Sequence, residues 1–98
     1  MTEAEIGANV IINTLSGIDH RSKVGDHTQI TVGVTIPGGV NIGSECFFGV
    51  KSATFPDISI GDSVVVQGGS LVIKDIPANV VVGGNPATIL RRISEEVV

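Results

Sequence analysis

Apolar residues recur at every sixth position through most of the chain. With one polar exception, Thr54, they are Ile, Val or Phe: Ile6, Ile12, Ile18, Val24, Ile30, Ile36, Ile42, Phe48, Thr54, Ile60, Val66 and Val72. A period of six matches neither the 3.6-residue turn of a helix nor the alternation of a plain strand. The pattern therefore predicts a repeat architecture in which short strands are joined by a kink at every sixth residue.

A second set of positions, two residues before each repeat start, is mostly small or β-branched. Its members are Val10, Ser16, Ser22, Thr28, Val34, Val40, Cys46, Ser52, Ile58, Val64, Ser70 and Ile76. Gly often follows the repeat start, at Gly7, Gly25, Gly43, Gly49 and Gly61, where we expect it to serve a tight turn. The register ends at Pro77, and Ala87 to Val97 is predicted to form a short helix that caps the last repeat.

Several motifs then match a known family in order and spacing, from Asn9 to Arg92. They are Asn13-Thr14, Asp19-His20, Val24-Gly25-Asp26, Pro37-Gly38-Gly39-Val40, Ile42-Gly43, Lys74-Asp75-Ile76-Pro77 and Gly84-Asn85-Pro86-Ala87. On these residues the chain resembles the hexapeptide-repeat sugar acyltransferases, in particular the group of sialic acid O-acetyltransferase and bacillosamine N-acetyltransferase.

The resemblance implies an all-β fold, the left-handed parallel β-helix, in which three hexapeptides make one 18-residue coil of a triangular prism. About four coils follow, over residues 6–23, 24–41, 42–59 and 60–77, stacked at about 4.8 Å per coil. We expect one domain over residues 1–98, with a C-terminal loop and helix over 78–98.

The resemblance also implies acyl transfer from a coenzyme A thioester, with acetyl-CoA as the donor and His20 as the general base. An imidazole suits this task because its pKa lies near the operating pH. One coil beyond His20 stands Gly38, whose N–H is suited to a developing oxyanion. Residues expected to contact the cofactor are Gly38, Gly68, Lys74, Arg91 and Arg92, and residues expected to contact the acceptor are Asn13 and Gln29.

Three departures from the family pattern keep a second interpretation open. Arg21 stands where the family usually has an acid after the histidine, and Gln29 replaces a second histidine. The N-terminal α/β domain that binds a nucleotide sugar in the family is also missing. The alternative is a trimeric β-helix that serves as a binding or scaffold module without turnover.

The sequence gives little support for the other functions that this fold can carry, or for chemistry at His27 and Cys46. Two histidines lack the three-ligand set of a γ-type carbonic anhydrase, and no Thr-x-Thr array of an ice-binding β-helix is present. His27 lies one coil from Asn9 and from Glu45, which favours a surface His–Glu contact. Cys46 occupies a small inward position and is predicted to be buried filler.

Composition narrows the expected partners and location. A net charge of -4 and the absence of Trp and Tyr argue against nucleic acid as a partner. No export signal or membrane-length apolar run is visible, and the single cysteine excludes an internal disulfide, so we expect a cytoplasmic protein. Ile11, Phe47 and Val65 fall on one outward column, broken by Gln29, and predict a contact with a partner. The resemblance implies that this assembly is a homotrimer, because active sites in the family lie between protomers.

Overall fold

Each hexapeptide forms one two-residue strand followed by a corner. The structure is a computed structural model, and it describes residues 4–19 and 21–93. The short strands are β1 (Glu5–Ile6), β2 (Ile11–Ile12), β3 (Gly17–Ile18), β4 (Lys23–Val24), β5 (Gln29–Ile30), β6 (Thr35–Ile36), β7 (Asn41–Ile42), β8 (Phe47–Phe48), β9 (Ala53–Thr54), β10 (Ser59–Ile60), β11 (Val65–Val66) and β12 (Leu71–Val72). Two longer strands, β13 (Val80–Gly84) and β14 (Ala87–Arg92), follow them.

The short strands stack into three parallel sheets, which are the faces of the prism. Sheet A is β1-β4-β7-β10, sheet B contains β2-β5-β8-β11, and sheet C is β3-β6-β9-β12. Every pairing joins residues 18 apart, as in Ile6 with Val24 and Ile12 with Ile30. The predicted coils and their register are therefore confirmed.

Three corners connect the faces of the prism. Corner 1 joins sheets A and B and holds residues 7–10, 25–28, 43–46 and 61–64. Corner 2 joins sheets B and C and holds residues 13–16, 31–34, 49–52 and 67–70. Corner 3 joins sheets C and A and holds residues 19, 21–22, 37–40, 55–58 and 73–75.

The repeat-start residues form the interior of the prism. Phe48, Ile30 and Val66 have no exposed surface, and Thr54 is also buried. The small inward hydroxyls are buried as well, and they hydrogen-bond to backbone carbonyls: Ser22 Oγ donates to Pro37 O at 2.6 Å, and Thr28 Oγ1 donates to Gly43 O at 2.9 Å. This pairing explains why Ser and Thr are tolerated in the core.

The first coil departs from the expectation that every repeat-start side chain is inside. Ile6 and Ile12 are each 42% exposed, and Ile18 is half-buried. Their strands keep the predicted register, but no described residue packs on the N-terminal side of this coil. Burial of a residue in a stack needs a coil on each side.

The kink recurs at the third residue after each repeat start, where the backbone is left-handed. The residues with positive φ at these places are Asn9, Leu15, Arg21, His27, Gly33, Gly39, Glu45, Lys51, Asp57, Ser63 and Gly69. The glycines directly after the repeat starts lie in these corners as expected, but none of them has a positive φ, so the left-handed residue of each corner comes two positions later. A Cβ on Gly25 would lie 2.6 Å from the carbonyl carbon of Gly43, so these glycines permit close stacking of coils.

The predicted C-terminal helix is also wrong, because residues 80–92 form an antiparallel hairpin of β13 and β14. The strand β13 adds to sheet B in parallel, with Val65 opposite Val81, and β14 folds back on it. Val80, Val82 and Ala87 are buried in the core. The strand β13 continues the backbone hydrogen bonds of sheet B beyond β11, which a helix could cover but could not extend. Residues 94–98 lie outside the described residues.

Residues 4–19 and 21–93 contain no helix that could cross a membrane.

Candidate functional site

The candidate site lies at corner 3. His20 itself lies outside the described residues, but its neighbours Asp19 and Arg21 are both exposed in this corner. Asp19 N donates to Ile36 O at 2.8 Å, and Lys23 N donates to Val40 O at 2.8 Å. The 18-residue register therefore holds on both sides of position 20, and its counterpart in the next coil is Gly38.

A groove of about 350 Å³ runs beside this corner, over the N-terminal half of sheet C. Its walls are Gly17, Ile18, Asp19, Thr35, Ile36 and Pro37. The groove therefore reaches the residue before His20 and the residue before Gly38. Gly38 is half-buried, and its N–H donates to none of the residues that the structure describes.

Towards the C-terminal end, corner 3 becomes apolar and ends at a cation. Phe55 and Ile73 are 47% and 38% exposed, in the column that continues from Pro37. Lys74 follows Ile73 and is also exposed. The corner thus offers an apolar strip between Gly38 and an ammonium group.

The other predicted site residues lie elsewhere on the prism. Asn13 and Gly68 are in corner 2, and Gln29 is on the outer face of sheet B. Arg91 and Arg92 are exposed on β14, opposite Val81 and Val80 of β13 respectively. A single copy of the chain therefore does not bring the predicted residues together around His20.

Asn13 and Gly68 each have a local structural role. Asn13 Oδ1 accepts the N–H of Thr14 at 3.1 Å, within the same turn. Gly68 packs against the preceding coil, where an added Cβ would lie 3.1 Å from Val50 O. These contacts explain in part why Asn13 and Gly68 occur at their positions, without any ligand.

His27 and Cys46 lie outside corner 3. His27 is exposed at corner 1, and its Nδ1 is 3.4 Å from Asn9 Nδ2, which is the neighbour one coil below. Cys46 is 2% exposed, with Sγ 3.1 Å from Gly61 O. Burial raises the pKa of the Cys46 thiol, with a smaller contribution from the Asp62 carboxylate, so the thiol is a poor nucleophile. The prediction that Cys46 is buried filler is confirmed.

Two features were missed from the sequence. A shallow groove of about 640 Å³ lies over sheet A, where Lys23, Asn41, Ser59 and Asp75 contribute polar side chains. The second feature is Asp57, whose carboxylate lies over Gly39 in corner 3. The 18-residue period could have predicted this contact, because residue 57 lies one coil beyond residue 39 and two coils beyond residue 21.

Known proteins are similar to this chain in sequence. No family model matches the chain. A Saccharomyces cerevisiae protein provisionally named an acetyltransferase is 36% identical over 91 residues, which cover 93% of this chain and 46% of that protein. Serine acetyltransferase 4 of Arabidopsis thaliana is 32% identical, over 95% of this chain and 29% of that protein.

Solved structures show the same fold. Neisseria gonorrhoeae serine acetyltransferase superposes with a TM-score of 0.88 at 24% identity, over 95% of this chain and 40% of that one. UDP-N-acetylglucosamine O-acyltransferase from Moraxella catarrhalis has a TM-score of 0.86 at 31% identity, over 88% and 34% of the two chains. Serine acetyltransferase from Brucella abortus strain S19, in complex with coenzyme A, has a TM-score of 0.83 at 25% identity, over 93% and 40%.

The fold is thus the left-handed parallel β-helix, as the resemblance implied. The chain spans less than half the length of the relatives it matches, since it covers 46% of the yeast protein and 29% of the Arabidopsis enzyme. By sequence and by fold, the chain is related to the β-helical part of the hexapeptide-repeat acetyltransferases.

Proposed function

We propose that the chain is the β-helix of an acyltransferase that moves an acetyl group from acetyl-CoA to a sugar-like acceptor. The observation that carries the proposal is the arrangement at corner 3. There a groove reaches Asp19 and Pro37, the residues that precede His20 and Gly38 in two successive coils. The related acetyltransferases, one of them solved with coenzyme A, support the same donor.

In the proposed reaction His20 acts as general base on a hydroxyl or amine of the acceptor. The acceptor oxygen or nitrogen loses its proton to the imidazole and attacks the carbonyl carbon of the thioester. The Gly38 N–H donates to the carbonyl oxygen as negative charge develops on it. When the intermediate collapses, the carbon–sulfur bond breaks, and the coenzyme A thiolate takes the proton from the imidazolium.

The apolar strip of corner 3 supports the proposed position of the cofactor. Phe55 and Ile73 offer apolar contacts to the uncharged arm that carries the thioester. The Lys74 ammonium is placed for a phosphate group, and Arg91 and Arg92 add positive charge near the same end of the prism. Gly68, in corner 2, would contact the cofactor only from a neighbouring copy.

The separation of the predicted residues supports a homotrimer with sites between copies. Gln29 lies on sheet B and Gly38 in corner 3, so a second copy is needed to bring such groups together. Sheet B offers a contact surface, because Ile11, Phe47 and Val65 point outward along it. An exposed apolar column of this kind is typical of a protein interface.

The acceptor class is the finer part of the proposal. Relatives include serine acetyltransferases and a UDP-N-acetylglucosamine O-acyltransferase, whose names describe hydroxyl acylation. The sialic acid and bacillosamine resemblance adds sugars acylated on oxygen or nitrogen. A panel of amino sugars, hydroxy sugars and serine, each supplied with acetyl-CoA, distinguishes these acceptors by the rate of thiol release.

The variant His20→Ala tests the base. General base catalysis contributes roughly 10²- to 10⁴-fold, so turnover should fall by about that factor while the affinity for coenzyme A stays nearly unchanged. The matched control is His27→Ala, which removes the exposed histidine of corner 1 and should leave turnover unchanged. Restoring the family acid with Arg21→Asp should raise turnover, because a carboxylate stabilises the protonated imidazole.

The scaffold alternative rests on Arg21, an exposed cation where the family places an acid. If wild type and His20→Ala are equally inactive while coenzyme A still binds, the scaffold interpretation replaces the enzyme. If coenzyme A does not bind at all, both the donor and the mechanism are wrong.

A further inference from the structure

Gly17 is the outward residue of strand β3 and presents no side chain there. Its pairing with Thr35 keeps the 18-residue register, without a bulge. A glycine inside a strand weakens the strand, and it often marks a place where a ligand or another backbone approaches closely. The glycine at this position therefore needs a structural or functional reason.

Packing between coils does not supply that reason. A Cβ on Gly43 would lie 2.7 Å from the carbonyl carbon of Gly61, and a Cβ on Gly61 would lie 2.6 Å from the backbone nitrogen of Ala78. A Cβ on Gly17, by contrast, would meet nothing within 4 Å, and the φ of Gly17 is not positive. Neither close stacking nor a left-handed backbone requires a glycine at position 17.

The missing side chain leaves open the groove of about 350 Å³ on sheet C. The other outward residues of this sheet, Thr35, Ala53 and Leu71, all carry side chains. Gly17 thus keeps the N-terminal part of the sheet accessible, and the volume of the groove lies within the range of about 300 to 1,000 Å³ that is usual for small-molecule sites.

The walls of this groove combine apolar and polar groups. Ile18 and Pro37 are half-buried and offer apolar surface, whereas the side chain of Thr35 is exposed and carries a hydroxyl group. A sugar ring has an apolar face of C–H groups and a rim of hydroxyl groups. The groove therefore matches one sugar ring better than a purely apolar ligand.

The groove lies on the side of corner 3 that the proposed cofactor leaves open. The apolar strip with Phe55 and Ile73 runs from Pro37 towards the C-terminal end of the prism. The groove runs from Pro37 towards the N-terminal end, along Gly17 and Thr35. A thioester on the strip and an acceptor in the groove would therefore meet beside Pro37.

We propose that Gly17 is the specificity-determining residue for the acceptor, because its missing side chain opens a subsite on sheet C for one sugar ring. The apolar face of the ring packs against Ile18 and Pro37, and the Thr35 hydroxyl bonds to a hydroxyl group of the ring. This inference rests on the proposed function and adds to it the place where the acceptor binds.

Gly17→Val tests the subsite by filling the groove. Its Cβ meets no atom within 4 Å, so the fold should persist, which thermal unfolding checks. The KM for a sugar acceptor should rise roughly tenfold or more, while the affinity for coenzyme A stays near that of wild type. Gly17→Ala should give a smaller rise. Thr35→Val, which keeps the shape and removes the hydroxyl, should raise the KM about 2- to 10-fold.

Ser59→Val is the matched control. It adds a β-branched side chain at the first residue of a two-residue strand on sheet A, away from the groove. The KM for the sugar acceptor should be unchanged in this variant. An equal rise in Ser59→Val and Gly17→Val would show that the effect does not come from the groove, and the inference would be wrong.

An NMR titration with glucosamine and N-acetylglucosamine, in the presence of coenzyme A, separates this inference from the proposed function. The amide signals of Gly17 and Thr35 should shift in wild type, and the Thr35 signal should no longer shift in Gly17→Val. If the signals shift but no sugar releases thiol, the proposed function fails and the sugar subsite stands. If a sugar releases thiol with the same KM in wild type and Gly17→Val, the proposed function stands and the inference is overturned. Two signals that do not move with either sugar also overturn it.

Discussion

Two threonines in the interior differ in one respect that matters for stability. Thr28 Oγ1 donates to Gly43 O at 2.9 Å and accepts the N–H of Cys46 at 3.1 Å. Thr54 Oγ1 is buried and has no hydrogen-bond partner among residues 4–19 and 21–93, in a column that otherwise holds Ile18, Ile36 and Val72. A buried unpaired hydroxyl costs free energy, whereas a paired one contributes.

Thr54→Val should therefore stabilise the protein. The substitution keeps the shape of the side chain and removes an unsatisfied hydroxyl, so the free energy of unfolding should rise by about 1 to 2 kcal/mol in a urea titration. Thr28→Val is the control and should lower it by about 1 to 3 kcal/mol, because it leaves the Cys46 N–H and the Gly43 carbonyl unpaired. A loss of stability in Thr54→Val would show that its hydroxyl has a partner.

The buried thiol of Cys46 makes stability depend on pH in the alkaline range. Burial raises its pKa in the folded state, so the unfolded chain loses this proton first as the pH rises. The unfolded state then binds fewer protons, and the free energy of unfolding falls as the pH rises above about 8.5. Cys46→Ala should lower stability at neutral pH and remove this part of the alkaline decline. Urea titrations at pH 7 to 10 measure the free energy of unfolding of both proteins. If it falls equally with pH in wild type and Cys46→Ala, the thiol does not cause the alkaline decline.

At the scale of the elements, stability depends on how closely the coils stack. A Cβ on Gly25 would lie 2.6 Å from the carbonyl carbon of Gly43, whereas a Cβ on Gly17 would meet nothing within 4 Å. Neither glycine has a positive φ, so an alanine at either place differs only in the space around it.

Gly25→Ala should accordingly destabilise the β-helix, because the backbone of two coils must separate locally to admit the methyl group. Overpacking of this kind costs about 1 to 3 kcal/mol. Gly17→Ala should be neutral or slightly stabilising, since it reduces the freedom of the unfolded chain. Thermal unfolding of both variants compares the effects, and equal midpoints would mean that coil spacing adapts without cost.

The outer faces of the whole molecule differ in chemistry. Sheet A presents Glu5, Lys23, Asn41 and Ser59 to solvent, with Lys23 Nζ 4.0 Å from Glu5 Oε1. The four short strands of sheet B, by contrast, present Ile11, Gln29, Phe47 and Val65, none of which is charged, and the charges of this sheet, Arg91 and Arg92, lie on β14 at its end. Sheet B is therefore the face expected to contact other copies, and sheet A the face expected to remain in water.

Phe47→Glu should disrupt the proposed trimer. A carboxylate in the centre of the sheet B column would lose its hydration on association, which disfavours burial of that face. Light scattering should report a lower mass for this variant and an unchanged mass for Ser59→Glu, the equivalent substitution on sheet A. A trimer that survives Phe47→Glu would place the contact on another face.

The amino-acid sequence alone predicts the four coils and several of the residues that share a corner. The six-residue period predicts which residues face inward, and adding 18 to a residue number identifies its neighbour in the next coil, as for Ile6 and Val24. This succeeds because contacts in a stacked repeat are set by the period alone. His20 and Gly38 were assigned to one corner in this way, and the role of His20 itself rests on the resemblance.

Only the tertiary structure decided what happens where the period ends or where side chains reach across coils. The segment from Ala87 onward forms a strand because the open edge of sheet B pairs with β13, and β13 in turn pairs with β14. Ile6 and Ile12 are partly exposed although they are apolar, because burial of a side chain in the stack requires a coil on each side of it. Asp57 lies over Gly39 for a related reason: the space it occupies is created by a missing side chain one coil away. Such a space depends on how two coils are positioned in three dimensions, and the pattern of residues along the chain does not contain those positions.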